Sequence, residues 1–163
     1  MTLNRLSALA RATLLALALL GPSAALAAGF QPLDKTTARR LVDPQAHRVP
    51  TVVVLWSSDC VHCKKNLRLF GALAKADKQL VLVSVATEPE SPLLTTLLDR
   101  ESWAGQRYAY GDEAPEALAY ALDAGWHGEL PRTLLFDGKG GRRALSGVLD
   151  EKTVRQALYG PRP

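Results

Sequence analysis

The run Cys60-Val61-His62-Cys63 stands directly after the apolar segment Thr51 to Trp56 and directly before a segment of helical periodicity, and nothing else in the chain restricts its fold as strongly. With Cys60 at the opening of a helix, the two cysteines lie one turn apart and their sulfurs can meet in a small ring. The unsatisfied N–H groups and positive dipole end of that helix favour the thiolate of Cys60 over its thiol. These are the only two cysteines, so no others exist to build a stapling framework. A purely structural bridge is a poor explanation, because so short a loop gains far less than the roughly 3 kcal/mol expected for a 15-residue loop. Zinc takes four ligands at structural sites, and only His62, His47 and His127 could join the two thiolates. Thiol-disulfide chemistry is the favoured reading, with metal binding and inert cysteines as the alternatives.

The N-terminal stretch carries Arg5 and Arg11, no acidic residue before Asp34, and the apolar run Ala12 to Leu20 closed by Gly21-Pro22. That is the pattern of a secretory signal peptide, with Ala25-Leu26-Ala27 offering small residues for cleavage after Ala27. An uncleaved membrane anchor is the alternative, although the run is about half of the roughly 20 apolar residues a bilayer span needs. Residues 1–27 are thus expected to be a leader and residues 28–163 a single domain, since 136 residues are too few for two ordinary ones. Losing Arg5 and Arg11 lowers the formal charge from +4 to +2. No basic stripe with interleaved aromatics remains, so nucleic acid is not an expected partner. An exported domain, placed in the periplasm, works where disulfides persist.

Periodicity divides the remainder. Phe30 to Leu33 is extended, and Asp34 caps a helix with Ala38, Leu41 and Val42 inward, ended by Pro44. Thr51 to Trp56 and Leu80 to Ala86 are β-branched apolar runs suited to strands covered on both faces. Ser57, Ser58 and Asp59 are capping residues for the helix near Cys60, whose inner stripe is Leu67, Phe70, Leu73 and Ala74. Ser91-Pro92 opens a helix that buries Leu93, Leu94, Leu97 and Leu98. A short strand follows at Tyr108 to Tyr110, then a helix over Glu113 to Ala124 stopped by Gly125 in a left-handed cap. Arg132 to Phe136 and Arg142 to Val148 flank a glycine-rich turn, and Asp150 caps a last helix with Val154, Ala157 and Leu158 inward. The fold class is α/β, a mixed central sheet with helices on both faces. From the residues alone, Pro131 reads as an ordinary trans proline opening an edge strand.

With this element order, Trp56, Cys60-Val61-His62-Cys63 and Leu130-Pro131-Arg132-Thr133, residues 30 to 159 resemble a thioredoxin-fold protein, most closely the exported redoxins of the TlpA or ResA type. The resemblance implies a thiol-disulfide oxidoreductase in which Cys60 attacks and Cys63 resolves the mixed disulfide. It implies a cis bond before Pro131, with Trp56, Leu130 and Pro131 shaping the rim on which a client peptide lies. His62 and Asp59 are candidate modulators: an imidazole before Cys63 is similar to the strongly oxidising DsbA type, whereas the charge of Asp59 opposes the Cys60 thiolate unless it caps. Three positions depart from the relatives: Val54 replaces a buried acid, Asn66 a glutamate, and Asp59 a tryptophan. The expected partners are client proteins bearing thiols or disulfides, such as apocytochrome c or a metal-centre assembly protein. A membrane redox protein of the DsbD or CcdA kind would recycle a reductase, or a quinone-linked one an oxidase. No cofactor and no bound metal is expected. The reductive direction is favoured by overall similarity, with a DsbA-like oxidase, a copper- or zinc-handling chaperone and a catalytically silent interaction module as alternatives.

Overall fold

The structure, a computed structural model, describes residues 29–161; the leader at 1–27 lies outside the described residues. Strand β2 (Thr51–Trp56) is buried along its whole length. Its side chains alternate between two cores, Val52, Val54 and Trp56 on one face and Val53 and Leu55 on the other. This is why the sequence reads as an unbroken apolar run. Around it the described strands form one mixed sheet in the order β1–β4–β3–β2–β5–β6, with β1 (Gln31–Leu33), β3 (Val81–Ala86), β4 (Gln106–Tyr110), β5 (Arg132–Phe136) and β6 (Arg142–Ser146). The first four in that order run parallel, while β5 and β6 are antiparallel to their neighbours.

Helices α2 (Val61–Ala76), α3 (Pro92–Arg100) and α5 (Glu151–Tyr159) cover the face of Val54 through Leu67, Phe70, Leu94, Leu98, Val154 and Leu158. On the opposite face, α1 (Lys35–Val42) and α4 (Pro115–Leu122) bury Ala38, Leu41, Leu118 and Leu122. Each such leucine withdrawn from water contributes about 2 kcal/mol before the cost of ordering it. Asp34 and Asp150 cap α1 and α5 as expected, their carboxylates accepting from the N–H of Thr37 at 2.6 Å and of Thr153 at 2.7 Å. Both carboxyls are held below the usual range, first by those backbone hydrogen bonds.

Several expectations are corrected. Helix α3 buries Leu94 and Leu98, which lie four apart, whereas Leu93 points outward and Leu97 is half-buried; Ser91 makes no capping bond. Helix α4 is shorter than expected: Glu113 stays outside it, accepting from the Lys35 N–H, and the chain leaves at Asp123, with Gly125 at no positive φ. Strand β4 begins at Gln106, earlier than the aromatic pattern suggests, because β3 pairs with it from there. Strand β6 stops at Ser146, since Gly147 takes a φ of 89° and turns the chain away from β5.

Candidate active site

Parallel strands that end together gather their following loops at one edge, and the loops after β2 and β3 meet there. The backbone of Thr87 donates to the carbonyl of Trp56 at 2.9 Å, continuing the β2–β3 pairing past the last residue of each strand. From that edge the segment Ser57 to Asp59 leads into α2. Cys60 is the capping residue of that helix: its backbone is extended, and its Sγ accepts from the N–H of Cys63 at 3.1 Å. None of Ser57, Ser58 and Asp59 caps, contrary to expectation. Asp59 accepts instead from the Ser57 hydroxyl, and Ser58 is held from below by Glu88.

Cys60 and Cys63 are disulfide-bonded, with Cα atoms 5.3 Å apart. Their surroundings differ sharply. Cys60 is half-buried, whereas Cys63 is completely enclosed within the core that includes Trp56, Val54 and Leu67. One sulfur can therefore meet an incoming partner while the other waits behind it. The Cys63 N–H and the start of α2 are placed to stabilise a negative sulfur at Cys60 after reduction.

Pro131 reaches the same corner from β5. The pairing of Leu55 with Arg132 places the next residues, Trp56 and Pro131, side by side at the ends of their strands. The Leu130–Pro131 peptide bond is cis. Pro131 is buried, its carbonyl accepting from the Gly147 N–H at 2.9 Å, and Leu130 is half-buried against both cores. Asn66, wholly buried one turn after Cys63, donates to the Gly147 carbonyl at 3.0 Å and accepts from the Leu149 N–H at 3.0 Å. The helix of the cysteines and the loop of Pro131 are thus both stitched to the turn after β6. With both ends of its amide engaged, Asn66 is a brace, and it does not stand in for the glutamate of the relatives as a proton acceptor.

Behind Leu130, Asp123 receives Arg132 at 3.0 and 2.7 Å and Arg142 at 3.2 Å, while Arg132 also reaches Ser146 at 2.7 Å. Burial alone would raise the Asp123 carboxyl. The Arg132 hydrogen bonds and the two guanidinium charges outweigh it and hold the group below its usual range.

Trp56 is a correction: it is fully buried, so it supports the site from inside and forms no part of a rim. Val61 is the exposed apolar residue at this corner, with 68% of its surface in water, and Val148 is half exposed on the turn that Asn66 holds. Periodicity could not reveal these two, because neither belongs to a core stripe. His62 is exposed on the first turn of α2. His47 lies on the opposite face, its ring 4.1 Å from that of Phe136 and its Nε2 2.9 Å from the Leu41 carbonyl oxygen. Among the described residues no three His, Cys, Asp or Glu side chains gather as a metal site, so the ligand set considered for a metal chaperone is not brought together.

A mixed sheet of this order, covered on both sides and carrying a Cys-x-x-Cys pair at the start of the helix after a central parallel strand, is a thioredoxin fold. Solved structures agree. A secreted disulfide oxidoreductase of Mycobacterium tuberculosis homologous to E. coli DsbE superimposes with a TM-score of 0.56 at 13% identity, over 69% of this chain and 81% of its own. A putative thiol:disulfide interchange protein DsbE from Chlorobium tepidum gives 0.54 at 17% identity, over 74% and 84%. A thioredoxin-related protein from Neisseria meningitidis gives 0.51 at 22% identity, over 67% and 82%. No protein-family model and no curated protein matches the chain. Among the described residues no helix is long and apolar enough to cross a membrane.

Proposed function

We propose that this protein is an exported thiol-disulfide oxidoreductase that reduces disulfides of client proteins through Cys60 and Cys63. The observation that carries this reading is the asymmetry of the pair, a half-buried cysteine at the cap of α2 backed by a fully enclosed one. The Cys60 thiolate attacks a client disulfide; that S–S bond breaks, the departing client sulfur takes a proton, and a mixed disulfide forms. Cys63 then loses its proton and attacks the Cys60 sulfur, releasing the second client thiol. Two electrons pass to the client, and the protein is left with the disulfide seen here. Recycling requires a reduced partner, which for an exported protein is a membrane redox protein.

The client lies along the exposed Val61, which follows Cys60 in the chain, the half-buried Leu130 before Pro131, and the exposed Val148 on the turn held by Asn66. The names of the solved relatives, a secreted oxidoreductase among them, support a periplasmic or otherwise extracytoplasmic setting, as does the leader pattern in residues 1–27.

Equilibration with glutathione buffers tests the direction. A reduction potential near about −270 mV supports the reductase, and one near about −120 mV assigns an oxidase instead. Cys60→Ser is expected to abolish reduction of an insulin disulfide, and Cys63→Ala to accumulate mixed disulfides with clients on non-reducing gels. Full activity in the Cys60→Ser variant would sink the proposal.

A further inference from the structure

Glu88 stands in the loop after β3 and belongs to no core stripe, yet both of its carboxylate oxygens are spent on one residue. One accepts from the Ser58 N–H, and the other from the Ser58 hydroxyl at 3.0 Å. Its own carbonyl accepts from the Tyr110 N–H at 3.1 Å, and the preceding Thr87 donates to the Trp56 carbonyl through its N–H at 2.9 Å and its hydroxyl at 3.3 Å. The ends of β2, β3 and β4 are thereby joined around a single half-buried acid. Ser58 is a central residue of the turn closed by the Cys60 N–H on the Ser57 carbonyl at 3.3 Å, so the clamp grips the backbone that delivers the attacking sulfur.

We infer that Glu88 is a positioning residue for Cys60, which clamps the turn before it and holds a carboxylate on Ser58, two residues ahead of the sulfur, whose charge disfavours the thiolate. The inference rests on the thiol-disulfide reading above and deepens it, because a less stable thiolate in the reduced state makes the dithiol the stronger reductant. Other titratable groups belong to the same stretches of chain. Asp59 lies in the turn and accepts from Ser57, His62 sits on the first turn of α2, Lys64 follows Cys63, and Glu90 stands two residues beyond Glu88. Helix α2 favours the thiolate and the carboxylates of Glu88 and Asp59 oppose it, which places the balance in the hands of residues outside the Cys-x-x-Cys motif.

Glu88→Gln separates charge from shape. The glutamine oxygen still accepts from the Ser58 N–H, and its amide donates to the Ser58 hydroxyl, so the clamp stays while the charge goes. The Cys60 thiol pKa, followed by pH-dependent alkylation of the reduced protein, is expected to fall by about half a unit, roughly a threefold shift toward thiolate. The potential, measured above the wild-type Cys60 pKa, should become less negative, and the difference from wild type should shrink in high salt. Glu88→Ala removes charge and clamp together and should lower the pKa likewise, so either variant carries the test if the other does not fold. Ser58→Ala loses one hydrogen bond and no charge, and should leave the pKa in place. If Glu88→Gln matches the wild type in both pKa and potential, Glu88 is a brace only and the inference is overturned. A wild-type protein that does not equilibrate with glutathione at all would instead overturn the thiol-disulfide reading, and this inference with it.

Discussion

Trp56 shows what a side chain can do for a site it never exposes. Four residues before Cys60, it fills the core alongside Cys63, and its Nε1 has no hydrogen-bond partner. Removing it leaves a cavity in a packed interior, so Trp56→Ala is expected to cost about 3–5 kcal/mol, read from denaturant unfolding of the oxidised protein. Trp56→Phe should cost less, because it removes an unpaired buried donor together with part of the ring. The aromatic residue could be seen in the sequence, but its direction could not. A strand buried on both faces carries no polar alternation to show which side of it a client would meet. Asn66 teaches a related lesson: the sequence marks it as a departure from the relatives, and only the distances show it bound at both ends of its amide. Glu88 carried a weaker signal, an acid at the carboxyl end of a parallel strand, where functional loops collect.

Elements meet at turns, and two turns in this protein are tightly constrained. The hairpin between β5 and β6 depends on Asp137, which accepts from the N–H groups of Lys139 at 2.7 Å and Gly141 at 2.8 Å, and on Gly138 at a φ of 73°. A Cβ at Gly138 would also lie 2.7 Å from the Val49 carbonyl carbon, so Gly138→Ala meets both strain and a backbone clash. It is expected to lower the melting temperature by several degrees, the consequence of about 1–3 kcal/mol in a domain of this size. The second turn, after β6, joins α2 to Pro131 through Asn66. Asn66→Ala leaves the Gly147 carbonyl and the Leu149 N–H unpaired and should cost about 2–4 kcal/mol. A distinct consequence separates this variant from ordinary destabilisation. If the brace aligns Pro131 with the cysteines, client reduction should fall at temperatures where the variant is still fully folded. Unchanged activity there would show that the brace serves stability alone.

At the scale of the molecule, six of the described carboxylates act together. Asp34, Asp77, Glu113, Asp123, Glu129 and Asp150 are all held below their ordinary range when folded, Asp77 first by the Tyr159 hydroxyl and Glu129 first by Ser146. A lowered folded-state pKa adds stability that is complete above the unfolded value near 4 and lost as pH falls through the folded one. The protein should therefore hold its unfolding midpoint at neutral pH and lose it progressively below about pH 4. Asp123→Asn, which uncouples Arg132 and Arg142, should be destabilised most at pH 7, and the gap to wild type should narrow at pH 3. A gap that widens in acid would reverse the sign of this account. The sequence by itself determined the strands, the helices and the two motifs, because apolar period, caps and turn residues are local properties that a short window expresses. It also determined that the two cysteines can close a ring, since three residues of helix span so little distance. Only the tertiary structure decided which cysteine is enclosed, that Trp56 turns inward, that Glu88 grips Ser58 and that Asn66 holds the turn after β6, since these depend on strand order and on contacts between residues as distant in the chain as Asn66 and Leu149, 83 apart.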